Sequence, residues 1–234
     1  MHKKIVLLLS LCLLVSTSAF AGKPAIGVAE FTNATTASWW YHGVGDDLAD
    51  MLTNELAGME VFKVVERSKL GPVLEEQDLA ASGRVSKSTG AKIGKLTGAE
   101  YLVMGSLSAF ETDVKGTGGG VSFRGISVGG KKEDAYLAVD LRVINTTTGE
   151  IEFTRTVEAR ASSGGLNVGL YRGGFGGNLS KYEKTPTGKA IRAVIMEISE
   201  YLACAMVEKG DCLAEYKAKE GARREKTKKA IKLD

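Results

Sequence analysis

Enzymatic chemistry needs a nucleophile, a base or a metal, and this 234-residue sequence offers few groups to supply them. It has two histidines, His2 and His42, and three cysteines, Cys12, Cys204 and Cys212. A Ser–His–Asp or Cys–His site would have to use His42, which stands beside Tyr41 and next to Trp39 and Trp40 in a polar loop. No serine or cysteine lies in a recognisable elbow motif, and no Cys/His spacing matches a zinc site. Two glycine clusters invite a phosphate-binding reading. Neither matches G-x-x-x-x-G-K-S/T and neither opens a helix, so they are not phosphate cradles. Gly188-Lys189 lies inside a helical stretch and lacks the upstream glycine. Glu75-Glu76 reads as a solvated helix face. The sequence therefore predicts a protein that is not an enzyme, with no cofactor and no metal.

The elements around these groups begin with an export signal. His2-Lys3-Lys4 is a short basic region, and Ile5 to Val15 is an apolar run too short to span a bilayer as a helix. Ala19-Phe20-Ala21 fits a small-x-small cleavage site, so residues 1–21 read as a signal peptide and Gly22 as the mature start. Cleavage removes two lysines and takes the formal charge from +3 to +1. A near-neutral chain argues against nucleic acid as a partner. Leu11 is too large for the position before a lipidated cysteine, which argues against Cys12 as a lipid anchor. Cys204 and Cys212 stay in an oxidising space. Along one straight helix they would lie about 12 Å apart, too far for a bridge. Gly210 can turn the chain back and allow a disulfide; the alternative is two small buried side chains.

Apolar spacing predicts strands at Pro24–Phe31, Val61–Val65 and Tyr101–Phe110. It predicts helices at Gly43–Leu56, Ser68–Gln77 and Ser88–Leu96, the last ended by Gly98. Ala135–Asn145 and Ile151–Ala161 alternate around a Thr146–Glu150 turn in which Gly149 supplies positive φ. Thr185-Pro186 opens a long helix as N-cap and first residue, with a stripe of Ile191, Val194, Ile195, Ile198, Leu202 and Ala205. Residues 22–213 read as one compact α+β domain with helices on a mixed sheet. Residues 214–234 read as a basic polar tail, either a solvated helix or frayed chain.

Two segments do not belong to that core. Lys115–Gly130 and Ser163–Gly177 carry seven glycines each. Within the first, Val121 and Phe123 alternate with polar residues, and Ile126 and Val128 follow. Within the second, Leu166, Val168 and Leu170 alternate, followed by Tyr171. Period-two patterning without a helical signal means extended chain. The segments read as β-hairpins, about 108–137 and 155–183, projecting from neighbouring sheet edges. A lone hairpin of this kind has too little core to be stable in water; it needs partners that complete a sheet.

Four stretches carry a family resemblance: residues 62–77 (FKVVERSKLGPVLEEQ), 91–107 (AKIGKLTGAEYLVMGSL), 138–150 (AVDLRVINTTTGE) and 185–191 (TPTGKAI). Together, in this order, they resemble the CsgG family of curli assembly and transport components, over nearly the whole mature chain. The resemblance implies a periplasmic α+β domain that forms a homo-oligomeric ring. Each subunit would give two hairpins to one shared transmembrane β-barrel in the outer membrane. It implies passive export of unfolded curli-like or adhesin subunits, with accessory curli-type envelope proteins and outer-membrane lipid as further partners. The family builds its narrowest point from the loop after the first strand. Here that loop is Thr32–His42, and Trp39, Trp40 and Tyr41 would form the constriction; the alternative is that they pack on the domain surface. The Asn-Phe pair of the family's best-known pore is absent. The competing function is a soluble or peripheral periplasmic module that binds a partner, such as a peptidoglycan-synthase activator, and forms no pore.

Overall fold

A computed structural model of the chain describes residues 22–116, 121–123, 126–128, 131–163, 179 and 184–230. The signal-peptide reading of residues 1–21 falls outside these. Among the described residues, eight strands and four α-helices follow in chain order: β1 (Ala25–Val28), β2 (Thr32–Asn33), α1 (Val44–Gly58), β3 (Lys63–Val64), α2 (Gly71–Ala81), β4 (Tyr101–Gly116), β5 (Val121–Phe123), β6 (Ile126–Val128), β7 (Lys131–Asn145), β8 (Ile151–Ser162), α3 (Pro186–Ala203) and α4 (Asp211–Ala230).

The main sheet has the order β3-β1-β4-β7-β8, with β2 beside β4. β1 runs parallel to both β3 and β4, while β7 runs antiparallel to β4 on one side and to β8 on the other. The fold is thus α+β with a mixed sheet. α1 lies over β1, and α3 lies over β7 and β8 and against α1. Leu48, Leu52 and Leu56 of α1 and Ile191, Val194, Ile195, Ile198 and Leu202 of α3 meet Val103, Leu107, Leu137, Leu141, Val143 and Val157 of the sheet. Each fully buried side chain of this size contributes about 1.5–3 kcal/mol relative to exposure. Helix starts follow local chemistry. Gly43, at φ 89°, precedes α1, and Asp46 and Asp47 occupy its first turn, where the helix dipole favours negative charge. The Thr185 hydroxyl accepts from the Gly188 N–H at 3.1 Å to cap α3, and Pro186 follows as expected.

Three expectations need correction. Ser88–Leu96 is not a helix; it is a run of turns and irregular chain. Gly90 and Gly94 interrupt it, Gly94 at φ +75°, and a glycine costs a helix about 1 kcal/mol relative to alanine. Its apolar residues find no core: Ile93 is 64% exposed and Leu96 47%. The preceding helix forms later than the spacing implied, as α2, and buries only Gln77. Finally, the basic tail takes the helical alternative, from Asp211, but is docked at its start instead of wholly solvated, with Tyr216 buried.

That docking has a definite geometry. α3 passes through a π-helical turn, Cys204–Glu208, and the chain reverses at Lys209, which has φ 49°. Cys204 and Cys212 are joined by a disulfide across a Cα–Cα distance of 6.0 Å. The Arg155 guanidinium lies 5.1 Å from the Tyr201 ring and 4.5 Å from the Tyr216 ring, and donates to the Tyr216 carbonyl at 3.3 Å. Burial pushes the Tyr216 phenol up to about 12. Further along α4, Arg223 donates to Glu220 at 2.8 Å and approaches Glu158 of β8 at 3.6 Å. The hydrogen bond from Arg223 is the largest cause holding the Glu220 carboxyl down at about 2. The double variant Cys204→Ser/Cys212→Ser should lose about 2–3 kcal/mol, the loop-closure value for a bridge over so short a separation. Urea unfolding with and without reductant measures it; an unchanged midpoint would show the bridge to be idle.

Candidate functional site

β4 and β7 are much longer than the core they cover. Their pairing runs from Tyr101↔Asn145 at the base to Gly116↔Lys131. The register shifts between Leu107 and Ala109, an irregularity of the kind that increases local twist where a ribbon leaves a sheet. Above it, β5 and β6 pair again, Val121 with Val128 and Phe123 with Ile126, with Ser122 opposite Ser127. Directly paired residues share a face and successive ones alternate. Val121, Phe123, Ile126 and Val128 therefore hold register positions on one face, and the serines hold positions on the other. Within the first glycine-rich segment, the described residues of β5 and β6 thus pair antiparallel. Along its neck, Asp113 stands opposite Asp134 and Lys115 opposite Lys132. Like charges directly opposite destabilise an isolated pair of strands.

β8 climbs beside β7 as far as Ser162, which pairs with Asp134. The Ser163 N–H donates to the Glu133 carbonyl at 2.8 Å, and the Glu133 N–H to the Ser163 hydroxyl at 2.9 Å. The second glycine-rich segment thus leaves from the same end of the sheet as the first. Leu166, Val168, Leu170 and Tyr171 lie outside the described residues.

The aromatic loop packs at the foot of this hairpin. Asn33 Oδ1 accepts from the Thr35 N–H and the Thr35 hydroxyl, both at 2.8 Å, and the Thr35 hydroxyl accepts from the Ala37 N–H at 3.2 Å. This nested set shapes the loop leading to Trp39. Trp39 is 2% exposed and belongs to the core. Its ring centroid lies 5.6 Å from Trp40 and 5.6 Å from Phe110, edge-on to the latter. Its indole N–H has no hydrogen-bond partner among the described residues. Such burial takes Trp39 out of a lumen-lining set within this chain; it anchors the loop to β4 instead. Trp40 and Tyr41 are half-buried, and their outer faces are what the loop presents, along with Thr36, Ser38 and His42, which are exposed. Phe110, the partner that buries Trp39, carried no signal in the sequence beyond strand alternation.

Among the described residues, no cluster of His, Cys, Asp and Glu could hold a metal ion, and no helix is long and apolar enough to cross a membrane.

The CsgG proteins of Salmonella typhimurium and Escherichia coli are each 29% identical to the chain over 126 residues, covering 52% of it and 46% of the relative. The chain thus spans about half the length of the curated relatives it matches. Among solved structures, the hypothetical protein CT253 from Chlamydia trachomatis aligns with a TM-score of 0.48 and 13% identity, over 80% of this chain and 99% of that one. The family model for "Curli production assembly/transport component CsgG" matches residues 8–231. Because that match takes in almost the whole sequence, the chain belongs to the CsgG family.

Proposed function

We propose that the chain is a subunit of an outer-membrane secretion pore that exports unfolded, curli-like or adhesin protein subunits by diffusion. The observation that carries this reading is the long β4–β7 hairpin. It is a two-stranded ribbon with glycine-rich ends and one apolar set of register positions, extended past the core formed by the described residues. Lys115 to Phe123 is about the nine to eleven residues a tilted barrel strand needs to cross a bilayer. In lipid, its open edges must be closed by other strands. Sister subunits in a homo-oligomeric ring supply them, with the second glycine-rich segment of each chain as the adjoining hairpin. Trp40 and Tyr41, held by Trp39, then line the way into the barrel. A ring of amphipathic aromatic faces lets extended chain slide and restricts free leakage. On this reading the mature protein sits in the outer membrane with its α+β domain in the periplasm. Accessory envelope proteins and the exported subunits are its partners.

Electron microscopy of the detergent-extracted mature protein tests this. Rings with a central opening are the expected result. A monomer that stays dispersed without detergent contradicts the pore and favours a periplasmic binding module.

A further inference from the structure

The segment between β3 and β4 is tied to α1 through the Lys69–Asp50 ion pair, but several of its apolar side chains find no core among the described residues. Val73, Leu74 and Leu79 of α2 are exposed, as are Ile93 and Leu96 beyond it. Five large apolar side chains in water, drawn from one continuous stretch, mark a contact surface rather than scattered exposure. The stretch also has a place in the sheet. It follows β3, which is one edge strand, while β8 ends the order at the other. Near the start of β8, Ile151 is 54% exposed between the exposed Glu150 and Glu152. Ile93 and Leu96 each follow an exposed lysine, Lys92 and Lys95. Both groups sit at the same level. Leu96 shortly precedes Tyr101 at the base of β4, and the pairings Tyr101↔Asn145 and Ile144↔Ile151 put the start of β8 at that end too.

We propose that the stretch from α2 to Leu96 docks on the β8 side of a second copy of this chain. In that contact Ile93 and Leu96 cover Ile151, and Lys92 and Lys95 meet Glu150 and Glu152. The charge of the flanking helices agrees. α2 carries Glu75, Glu76 and Asp78 and no basic residue. α4, docked at the β8 edge, has seven Lys and Arg against four Asp and Glu. A surface at one sheet edge that fits a different surface at the opposite edge makes a head-to-tail contact, and such contacts close into rings when the rotation allows. This inference rests on the ring reading above and names the surface through which the domains would touch, apart from the hairpins.

A charge swap on the full chain in detergent tests it, read by light scattering after gel filtration. Lys92→Glu/Lys95→Glu and, separately, Glu150→Lys/Glu152→Lys should each lower the assembled fraction about tenfold, because like charges then face each other. All four changes in one chain should restore assembly to near the starting level. All these residues are exposed, and rescue distinguishes a broken contact from a broken fold. If the original chain assembles and neither pair of changes alters the assembly, the docking surface is wrong while the ring stands. The same holds if the fourfold change does not restore it. If the original chain is monomeric in detergent, both fall.

Discussion

Replacing Trp39 with alanine is expected to lower the stability of the domain by about 3–5 kcal/mol, the usual cost of emptying a buried tryptophan site. Trp39 is nearly inaccessible and is wedged against Trp40 and Phe110. Its loss would also detach the aromatic loop from the foot of the hairpin. Trp39→Phe should cost much less, under about 2 kcal/mol, since it keeps an aromatic ring in the site. It also removes an N–H that finds no partner among the described residues. Trp40→Ala, at a half-buried position, should cost less than Trp39→Ala. Urea unfolding of the three variants provides the ranking. A Trp39→Ala protein with an unchanged midpoint would contradict the core assignment and return the residue to the lumen-lining set.

Gly105→Val should be comparably damaging, at about 3 kcal/mol, near the upper end for an overpacked core. A Cβ built on Gly105 falls inside the Phe31 ring, with Cζ at 2.8 Å. Phe31 has nowhere to go. It is 2% exposed, its N–H donates to the Gly45 carbonyl at 3.2 Å, and a Cβ on Gly45 would in turn strike the Phe31 carbonyl oxygen. Gly105 lies below the bulge from which the ribbon rises, so the same substitution should disturb the aim of the hairpin. Combining it with Phe31→Leu should recover part of the loss. A double-mutant cycle reports this as coupling between the two sites; strict additivity would contradict the clash.

What was legible in the residues depended on whether the cause was local. α1 and α3 carry apolar residues at helical spacing, α1 with acidic residues in its first turn and α3 with the Thr185 cap, and both form where they were expected. The Thr146–Glu150 turn was legible for the same reason. Gly149 takes φ +75°, and Asn145 Oδ1 accepts from the Thr147 N–H at 3.0 Å. Ser88–Leu96 misled because periodicity ignores both the glycines and the absence of a surface to cover. The reach of the hairpin was only half legible. Val121, Phe123, Ile126 and Val128 signalled extended chain. Residues 111–116, by contrast, are mostly polar and join the ladder because β7 lies alongside, not because of their own pattern.

The candidate site failed to show itself for a different reason. Three adjacent aromatics announce a cluster, but not which member is buried. That choice depends on Phe110, some seventy positions away in sequence. The docking of α4 is equally nonlocal. Its own composition is that of a solvated helix, and distant residues hold it down: Arg155, set between Tyr201 and Tyr216, Glu158, which Arg223 approaches, and Cys204, bridged to Cys212. The Cys204–Cys212 spacing left a bridge open as one of two outcomes. The reversal at Lys209 brings the two residues together, while Gly210, the residue that suggested a reversal, is its neighbour.

Current through a planar lipid bilayer tests the central claim most directly. The mature chain should insert and give stable, voltage-independent steps. A chain lacking residues 117–130 should keep its α+β domain, judged by circular dichroism, and give none. Steps of equal size from both proteins, or silence from the intact one, would contradict a pore walled by this hairpin.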